Sequence, residues 1–206
     1  MELTYLGHSC IRIRGRDATV LVDPPRGRGA ASAGRSHPDI IVRTLGATDT
    51  DGLRKVEGRS QEVSGPGEFE VRGVSILGLP AGETTVMRIE VDDVRVAAAG
   101  RLDRQLAEDE IDALGHVDIL VVPVGGGDAL TAVEATRLVN AVEPAIVVPA
   151  RYRLPDSDDS KYETVDKFAK EMGLTEGSWD RVARLNLSGP PAESEDPRVV
   201  ILEARV

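Results

Sequence analysis

Two apolar, β-branched segments near the middle of the chain end in residues whose types can do chemistry. The first segment, 118–124, precedes the loop from Gly125 to Asp128, and the second, 145–150, precedes Arg151 and Tyr152. Apolar residues between them recur at helical spacing, which predicts a strand–loop–helix–strand unit. In open α/β sheets, ligands bind at the carboxyl ends of the strands. This unit therefore predicts a ligand site beside its loop.

The glycine-rich loop in this unit does not have the spacing of a nucleotide-binding loop. Gly125-Gly126-Gly127 lacks both the G-x-G-x-x-G pattern and a Walker lysine. We therefore interpret it as a tight strand-to-helix turn. The backbone N–H groups at the start of the following helix can bind an anion, or Asp128 or Thr131 can cap them instead.

Length, composition and charge limit the classes to which the chain can belong. It has 206 residues and no long polar linker, which predicts one domain spanning 1–206. Aromatic residues make up only 3% of it, so the core must be built from aliphatic residues, as suits a sheet-rich α/β protein. A net charge of −10 without a Lys/Arg-rich stripe argues against nucleic acid as a partner. The remaining partners are small molecules and other proteins, including a second copy in a homo-oligomer.

The chain also lacks the patterns of membrane and disulfide-linked proteins. No apolar run reaches the roughly 18 residues needed to span a bilayer, and the first residues do not form a basic segment followed by an apolar one. We expect no membrane partner and a cytoplasmic location. Cys10 is the single cysteine, so an internal disulfide is excluded, and three histidines leave few soft ligands for a metal ion.

The rest of the pattern predicts two meanders of short strands, each followed by helices. Outside the central unit, strands are predicted at 3–6, 10–14, 19–22, 40–42, 69–71, 74–79, 87–91, 94–99, 183–187 and 199–203. Helices are predicted at 107–114, 131–142 and 161–172, with a short helical piece near 53–56 and a mobile loop at 26–37. Two such halves predict an α/β fold in which two sheets pack face to face between helices, a four-layer αββα sandwich.

Five segments occur in an order that is specific to one family. They are Leu6-Gly7-His8-Ser9-Cys10, Val22-Asp23-Pro24, and the segments 64–70, 122–127 and 148–152. In this order they resemble the small members of the metallo-β-lactamase superfamily, in particular the branch similar to ascorbate-phosphate lactonase. The resemblance covers about residues 3–172 and implies the αββα sandwich. It also implies a site at one edge of the two sheets, where the family holds one or two metal ions with histidines and aspartates.

The chain departs from this family at the metal ligands. After the fourth strand the family has a histidine-rich motif, whereas residues 44–51 contain no histidine, and only Asp49 could fill a ligand position. The resemblance places Arg101 where the family has a metal-bridging aspartate and Arg151 where it has a late histidine. A guanidinium keeps its proton and cannot ligate a cation. A divalent ion about 4 Å from one arginine would meet an electrostatic repulsion on the order of 8 kcal/mol at an effective dielectric constant of about 20.

The candidate site therefore contains ligand-binding residues and no metal or catalytic residues. The candidates are His8, Asp23, Asp49, Glu68, Arg101, Asp103, Arg151 and Tyr152. His8 either faces the site, as the resemblance implies, or hydrogen-bonds within its turn. Glu68 is a candidate at the periphery. Cys10, on the apolar face of a strand, is expected to be a buried and unreactive thiol.

The two arginines have two alternative roles. In one, Arg101 and Arg151 form ion pairs with the candidate aspartates and hold the loops that a metal ion ties together in the family. In the other, a guanidinium stays unpaired in the cleft beside His8 and Tyr152, where it suits a phosphate or carboxylate ligand.

Three functions are consistent with this sequence. The favoured one is a metallo-β-lactamase-fold protein that has lost its metal site and acts, without a cofactor, as a non-hydrolytic binding or regulatory module for a small anionic ligand. The second is a metal-dependent hydrolase of the lactonase or phosphodiesterase type, with non-standard ligands such as His8, Asp23, Asp49 and Asp103. The third is a structural subunit that pairs with itself or with an active relative.

Overall fold

The structure is a computed structural model that describes residues 1–24, 38–45, 60–155, 157, 160–175, 179–192, 194 and 196–204. Within these residues the chain forms fourteen strands and three helices. The strands are β1 (Glu2–Gly7), β2 (Cys10–Arg14), β3 (Thr19–Val22), β4 (Ile40–Arg43), β5 (Gln61–Ser64), β6 (Gly67–Val71), β7 (Val74–Ala81), β8 (Thr84–Val91), β9 (Val94–Ala98), β10 (Ile119–Pro123), β11 (Ile146–Ala150), β12 (Asp180–Val182), β13 (Leu185–Asn186) and β14 (Arg198–Leu202). The helices are α1 (Glu108–Leu114), α2 (Ala132–Val142) and α3 (Val165–Glu171).

The strands form two mixed sheets. The six-stranded sheet has the order β13-β1-β2-β3-β4-β5, and the eight-stranded sheet has the order β12-β14-β11-β10-β9-β8-β7-β6. Each sheet starts with an antiparallel meander, β1 to β3 in one and β6 to β9 in the other, and continues with parallel strands. Because parallel strands point the same way, the loops after β3 and β4 lie at one edge of their sheet, and the loops after β9, β10 and β11 lie at one edge of the other.

One large apolar cluster joins the two sheets, and a small one of Leu6, Cys10 and Leu21 lies apart from it. Alternate residues of β2, including Ile11 and Ile13, belong to the same buried cluster as Ile89 of β8 and Val96 of β9. Strand β10 is buried along its whole length, as expected for a parallel strand that is covered on both faces. The two sheets therefore pack face to face, with β10 covered on its second face by α2.

Helix α2 begins with a capping box. The backbone N–H of Glu134 donates to the Thr131 hydroxyl, and the Glu134 carboxylate accepts from the N–H of Thr131 at 2.9 Å. The buried face of α2, which includes Leu138 and Val139, packs on β10, and α3 packs on α2. Thr131 is thus the cap, which leaves the side chain of Asp128 available for other contacts.

The α/β two-sheet fold predicted from the sequence is confirmed, with local corrections. The pattern does not predict β5 or β12, because both are short edge strands with polar residues at most positions. The helix predicted at 161–172 begins only after Thr164 and ends at Glu171. The helical piece near 53–56 and the loop 26–37 lie outside the described residues. Among the helices that are described, none has the length and apolar character needed to cross a membrane.

Gly125 lies where two backbone segments approach closely. A Cβ atom at this position would overlap the carbonyl oxygen of Arg151 and lie 2.9 Å from the Cα atom of Tyr152. The loop after β10 therefore contacts the end of β11 directly, and any side chain at Gly125 would push the two apart.

We expect Gly125→Ala to lower the free energy of unfolding by about 1 to 3 kcal/mol, the usual cost of inserting a methyl group into a fully packed region. Gly189→Ala is the matched control, because a Cβ atom there meets nothing within 4 Å. Urea unfolding followed by circular dichroism measures both, and the control should stay within about 0.5 kcal/mol of wild type. Equal losses in the two variants would contradict this account of the loop.

Candidate functional site

A pocket of about 330 Å³ opens where the carboxyl ends of strands from both sheets meet. Its lining comes from the β1–β2 turn and from the residues that end or follow β3, β4, β9 and β11. The lining residues are Gly7, His8, Ser9, Cys10, Asp23, Pro24, Arg43, Leu45, Arg101 and Arg151. The structure thus brings together four of the candidates predicted from the sequence, namely His8, Asp23, Arg101 and Arg151.

The other candidates do not line this pocket. Tyr152 is buried, and its hydroxyl donates to the carbonyl oxygen of Leu202 at 3.3 Å, so its side chain lies apart from the pocket lining. Glu68 lies on the edge strand β6, and Asp103 is exposed in the segment after β9. Asp49 lies outside the described residues.

Three residues of the pocket have left-handed backbone conformations. The φ angles are 51° at His8, 44° at Asp23 and 47° at Arg151, although none of these residues is glycine. Each such residue costs about 1 to 2 kcal/mol relative to the right-handed region. Backbone strain of this kind concentrates at functional sites, where the surrounding structure holds it in place. The strain therefore supports a functional role for this pocket.

The carboxylate of Asp23 is held by Thr44, a residue that the sequence analysis missed. The backbone N–H of Thr44 donates to Asp23 Oδ1 at 2.9 Å, and its hydroxyl donates to Oδ2 at 2.5 Å. Burial raises the pKa of Asp23, while the Thr44 hydrogen bonds and the charges of Arg43 and Arg151 oppose that shift. Thr44 thus fixes the orientation of this carboxylate by one hydrogen bond to each oxygen.

Arg151 forms the main network of the site. Its Nη2 atom donates to Asp128 Oδ1 at 2.7 Å and to the Tyr162 hydroxyl at 2.6 Å, while Nη1 lies 3.4 Å from Ser9 Oγ. Its backbone N–H donates to the carbonyl oxygen of His8 at 2.9 Å. Since His8 belongs to one sheet and Arg151 follows a strand of the other, this residue links the two sheets at the pocket.

The ion-pair partner of Arg151 differs from the prediction. The partners predicted from the sequence are Asp23, Asp49 and Asp103, but the carboxylate that contacts Arg151 is Asp128, in the loop after β10. A cap for α2 was one of the roles considered for Asp128, and the structure gives that role to Thr131. The signal that could have found the pair is topological, because β10 and β11 are neighbours and their following loops must meet.

Asp128 is surrounded by positive charge. Besides Arg151, the Arg101 Nη1 atom and the Lys161 Nζ atom each lie 3.7 Å from its Oδ2 atom. The Tyr162 hydroxyl also donates to Oδ1 at 3.0 Å. Burial by itself raises the pKa of Asp128, but the hydrogen bond and charge of Arg151, with Tyr162 and Lys161, outweigh it and lower the pKa. One carboxylate therefore faces three cationic side chains.

Arg43 is a second pocket residue that the sequence pattern does not reveal. It is the last residue of β4, is only 5% exposed, and lines the pocket. Glu62 Oε1 lies 3.2 Å from Arg43 Nε without the alignment that a hydrogen bond needs. Within the described part of the chain, Arg43 Nε, Arg43 Nη2 and Arg151 Nε are buried donors that have no hydrogen-bond acceptor. Such donors are costly to leave unpaired, especially on charged groups.

The described residues do not fit a metal ion. Across them, no group of three or more His, Cys, Asp or Glu side chains is placed to hold one. The pocket offers His8, Asp23 and Cys10, and Asp23 is the single carboxylate among these lining residues. Burial raises the pKa of the Cys10 thiol, so the thiolate that a metal ion needs is disfavoured. Three arginines in the same lining oppose a cation further.

One family model matches most of the chain. Residues 2–151 match the model of the β-lactamase superfamily domain. The chain belongs to the β-lactamase superfamily. This confirms the superfamily resemblance inferred from the sequence, and with it the metallo-β-lactamase fold.

Relatives and solved structures within the superfamily support this assignment. A UPF0173 protein of Pyrococcus furiosus is 25% identical over 84% of this chain and 90% of its own length. A protein of Methanopyrus kandleri named UPF0173 metal-dependent hydrolase is 21% identical over 84% of this chain and 94% of its own length. A metallo-β-lactamase superfamily structure from Thermotoga maritima superposes with a TM-score of 0.79, at 22% identity, covering 98% of each chain. The structural likeness supports the fold only.

We expect Arg151→Met to lower the free energy of unfolding by about 2 kcal/mol, because it removes the hydrogen bonds from the guanidinium to Asp128 and to the Tyr162 hydroxyl. Arg101→Met is the matched comparison and should cost less than about 1 kcal/mol, since the Arg101 side chain is 35% exposed and its ion pair is long. Urea unfolding at neutral pH measures both. A larger loss for Arg101→Met than for Arg151→Met would show that Arg101, and not Arg151, has the linking role.

Proposed function

We propose that this β-lactamase superfamily chain binds a small anion in the pocket between Arg43 and Arg151, and that it does so without a catalytic metal ion. The observation that supports the proposal is the set of buried guanidinium donors at Arg43 and Arg151 that lack an acceptor among the described residues. Arg43 and Arg151 both line the pocket, and an oxyanion toward which their side chains turned would supply acceptors for donors that are otherwise costly to bury.

The charge balance around the pocket also favours an anion. Three arginines, Arg43, Arg101 and Arg151, line it, and the Nζ atom of Lys161 lies 3.7 Å from Asp128 Oδ2 outside the lining. Asp23 is the carboxylate among the lining residues, while Glu62 and Asp128 pair with Arg43 and Arg151 from outside the lining. The surplus of positive charge matches a ligand with one or two negative charges, such as a phosphate or carboxylate group. A binding or regulatory module with such a ligand needs no hydrolytic step.

The second candidate function is a metal-dependent hydrolase with non-standard ligands. The names of the relatives favour it, because several UPF0173 proteins that resemble this chain are named metal-dependent hydrolases. Two of the ligands that it would use, His8 and Asp23, line the pocket. It would need further ligands from outside the described residues, where Asp49 lies.

The single-domain organisation, the cytoplasmic location and self-association stay predictions from the sequence.

Thermal unfolding with added phosphate tests the anion site. Millimolar phosphate should raise the melting temperature of the wild type at constant ionic strength, because a ligand that binds the folded state stabilises it. The gain should disappear in Arg43→Gln and Arg151→Met. It should persist in Arg104→Met, whose guanidinium pairs with Glu110 and does not line the pocket. A phosphate effect that is equal in all four proteins would contradict specific binding.

Metal analysis distinguishes the two candidate functions. The protein purified with added zinc or manganese and then dialysed should hold far less than one metal ion per chain. Its hydrolysis of lactone, phosphodiester and β-lactam substrates should stay at background. Near-stoichiometric metal, together with activity that a chelator removes, would support the hydrolase and overturn our proposal.

A further inference from the structure

The geometry of the Arg151 side chain restricts how an anion can bind to it. A guanidinium presents two edges at which two N–H groups point in parallel: one edge joins Nε to Nη2, and the other joins Nη1 to Nη2. Both edges contain Nη2. In this structure Nη2 already donates to Asp128 Oδ1 and to the Tyr162 hydroxyl, while Nε has no acceptor within the described residues. Any ligand that takes a two-point grip on Arg151 must therefore displace one of these two partners.

Asp128 is the partner that can leave. Its side chain is 37% exposed, whereas Tyr162 is buried and stacks under the cations of Lys161 and Arg151. A carboxylate at the surface can be rehydrated at little cost, but a buried phenol cannot turn away without opening the packing. Asp128 also follows Gly126 and Gly127, which hold left-handed φ angles of 69° and 72°, so its position depends on two residues with wide conformational freedom.

The charges around Asp128 favour an exchange of one anion for another. If its carboxylate turned out to solvent, Arg101, Arg151 and Lys161 would be left without their shared negative partner. A phosphate or carboxylate on Arg151 would replace that charge.

We propose that Asp128 is an internal competitor for the anion site, so that a ligand gripping Arg151 with two oxygens displaces its carboxylate. This inference rests on the anion-binding function proposed above and identifies the residue that limits its affinity. The opposite role has an opposite consequence: if Asp128 instead orients Arg151 for the ligand, its removal must weaken binding.

The test compares Asp128→Asn with wild type by isothermal titration of inorganic phosphate into the full chain. We expect the variant to bind about tenfold more tightly, because the competing charge-assisted hydrogen bond becomes a weaker neutral one. Asp103→Asn is the matched control: it removes one negative charge from an exposed carboxylate that does not line the pocket. Its affinity should stay within about twofold of wild type, since a screened surface charge contributes little.

The possible results distinguish the competitor role of Asp128 from the anion site itself. If wild type binds phosphate in an Arg151-dependent manner and Asp128→Asn binds equally or more weakly, the competitor role is wrong and the anion site stands. If neither wild type nor Asp128→Asn binds phosphate, the anion site itself is wrong. An equal gain in Asp103→Asn would reduce the effect to net charge and would also overturn the competitor role.

A measurement on the wild type covers the case in which Asp128→Asn does not fold. With carbon-13 labelling of aspartate, saturating phosphate should shift the carboxyl resonance of Asp128 as it leaves Arg151, while the resonance of Asp103 stays in place. An unchanged Asp128 resonance, with phosphate bound, would show that the carboxylate does not move.

Discussion

The contacts of Arg151 hold the two sheets together at the pocket. Its backbone N–H reaches the carbonyl oxygen of His8 in one sheet, and its side chain reaches Asp128 and Tyr162 on the loops that flank its own strand. The residue adopts a left-handed backbone conformation to make all of these contacts at once. Its conformational cost is offset by charge-assisted hydrogen bonds in a half-buried setting, where they are stronger than in water. The shape and the charge of the pocket both depend on this residue.

Much of the fold could be predicted because its main elements have strong local signals. The buried run of β10, the helical spacing of α2 and the second run of β11 fix the central unit and the sheet edge that contains the site. Five short segments in a fixed order then identified the superfamily, which residues 2–151 match. The pattern failed at β5 and β12, since an edge strand has few buried positions and so little alternation.

The site was predicted only in part because its contacts join segments that are distant in sequence. Arg151 and Arg101 follow strand ends and were found, but their shared partner Asp128 was not, since a helix cap explained that residue equally well. No local sequence pattern marks Thr44 or Arg43 as a site residue. Thr44 is identified by its hydrogen bond to Asp23, and Arg43 is identified by the burial of its side chain. Tyr152 and Tyr162 are both plausible by type, and only packing places Tyr162 on the arginine.

The edge strand β6 has a consequence for how copies of this chain meet in solution. Among the described strands none pairs with the other side of β6, and an unpaired strand edge is a template for joining another strand. If two copies paired antiparallel about Phe69, Glu68 of each would face Glu70 of the other, and like charges directly opposite each other destabilise a sheet. Glu68, a candidate for the periphery of a ligand site, thus acts together with Glu70 against edge-to-edge aggregation, a protection that neutralising the two carboxylates would remove.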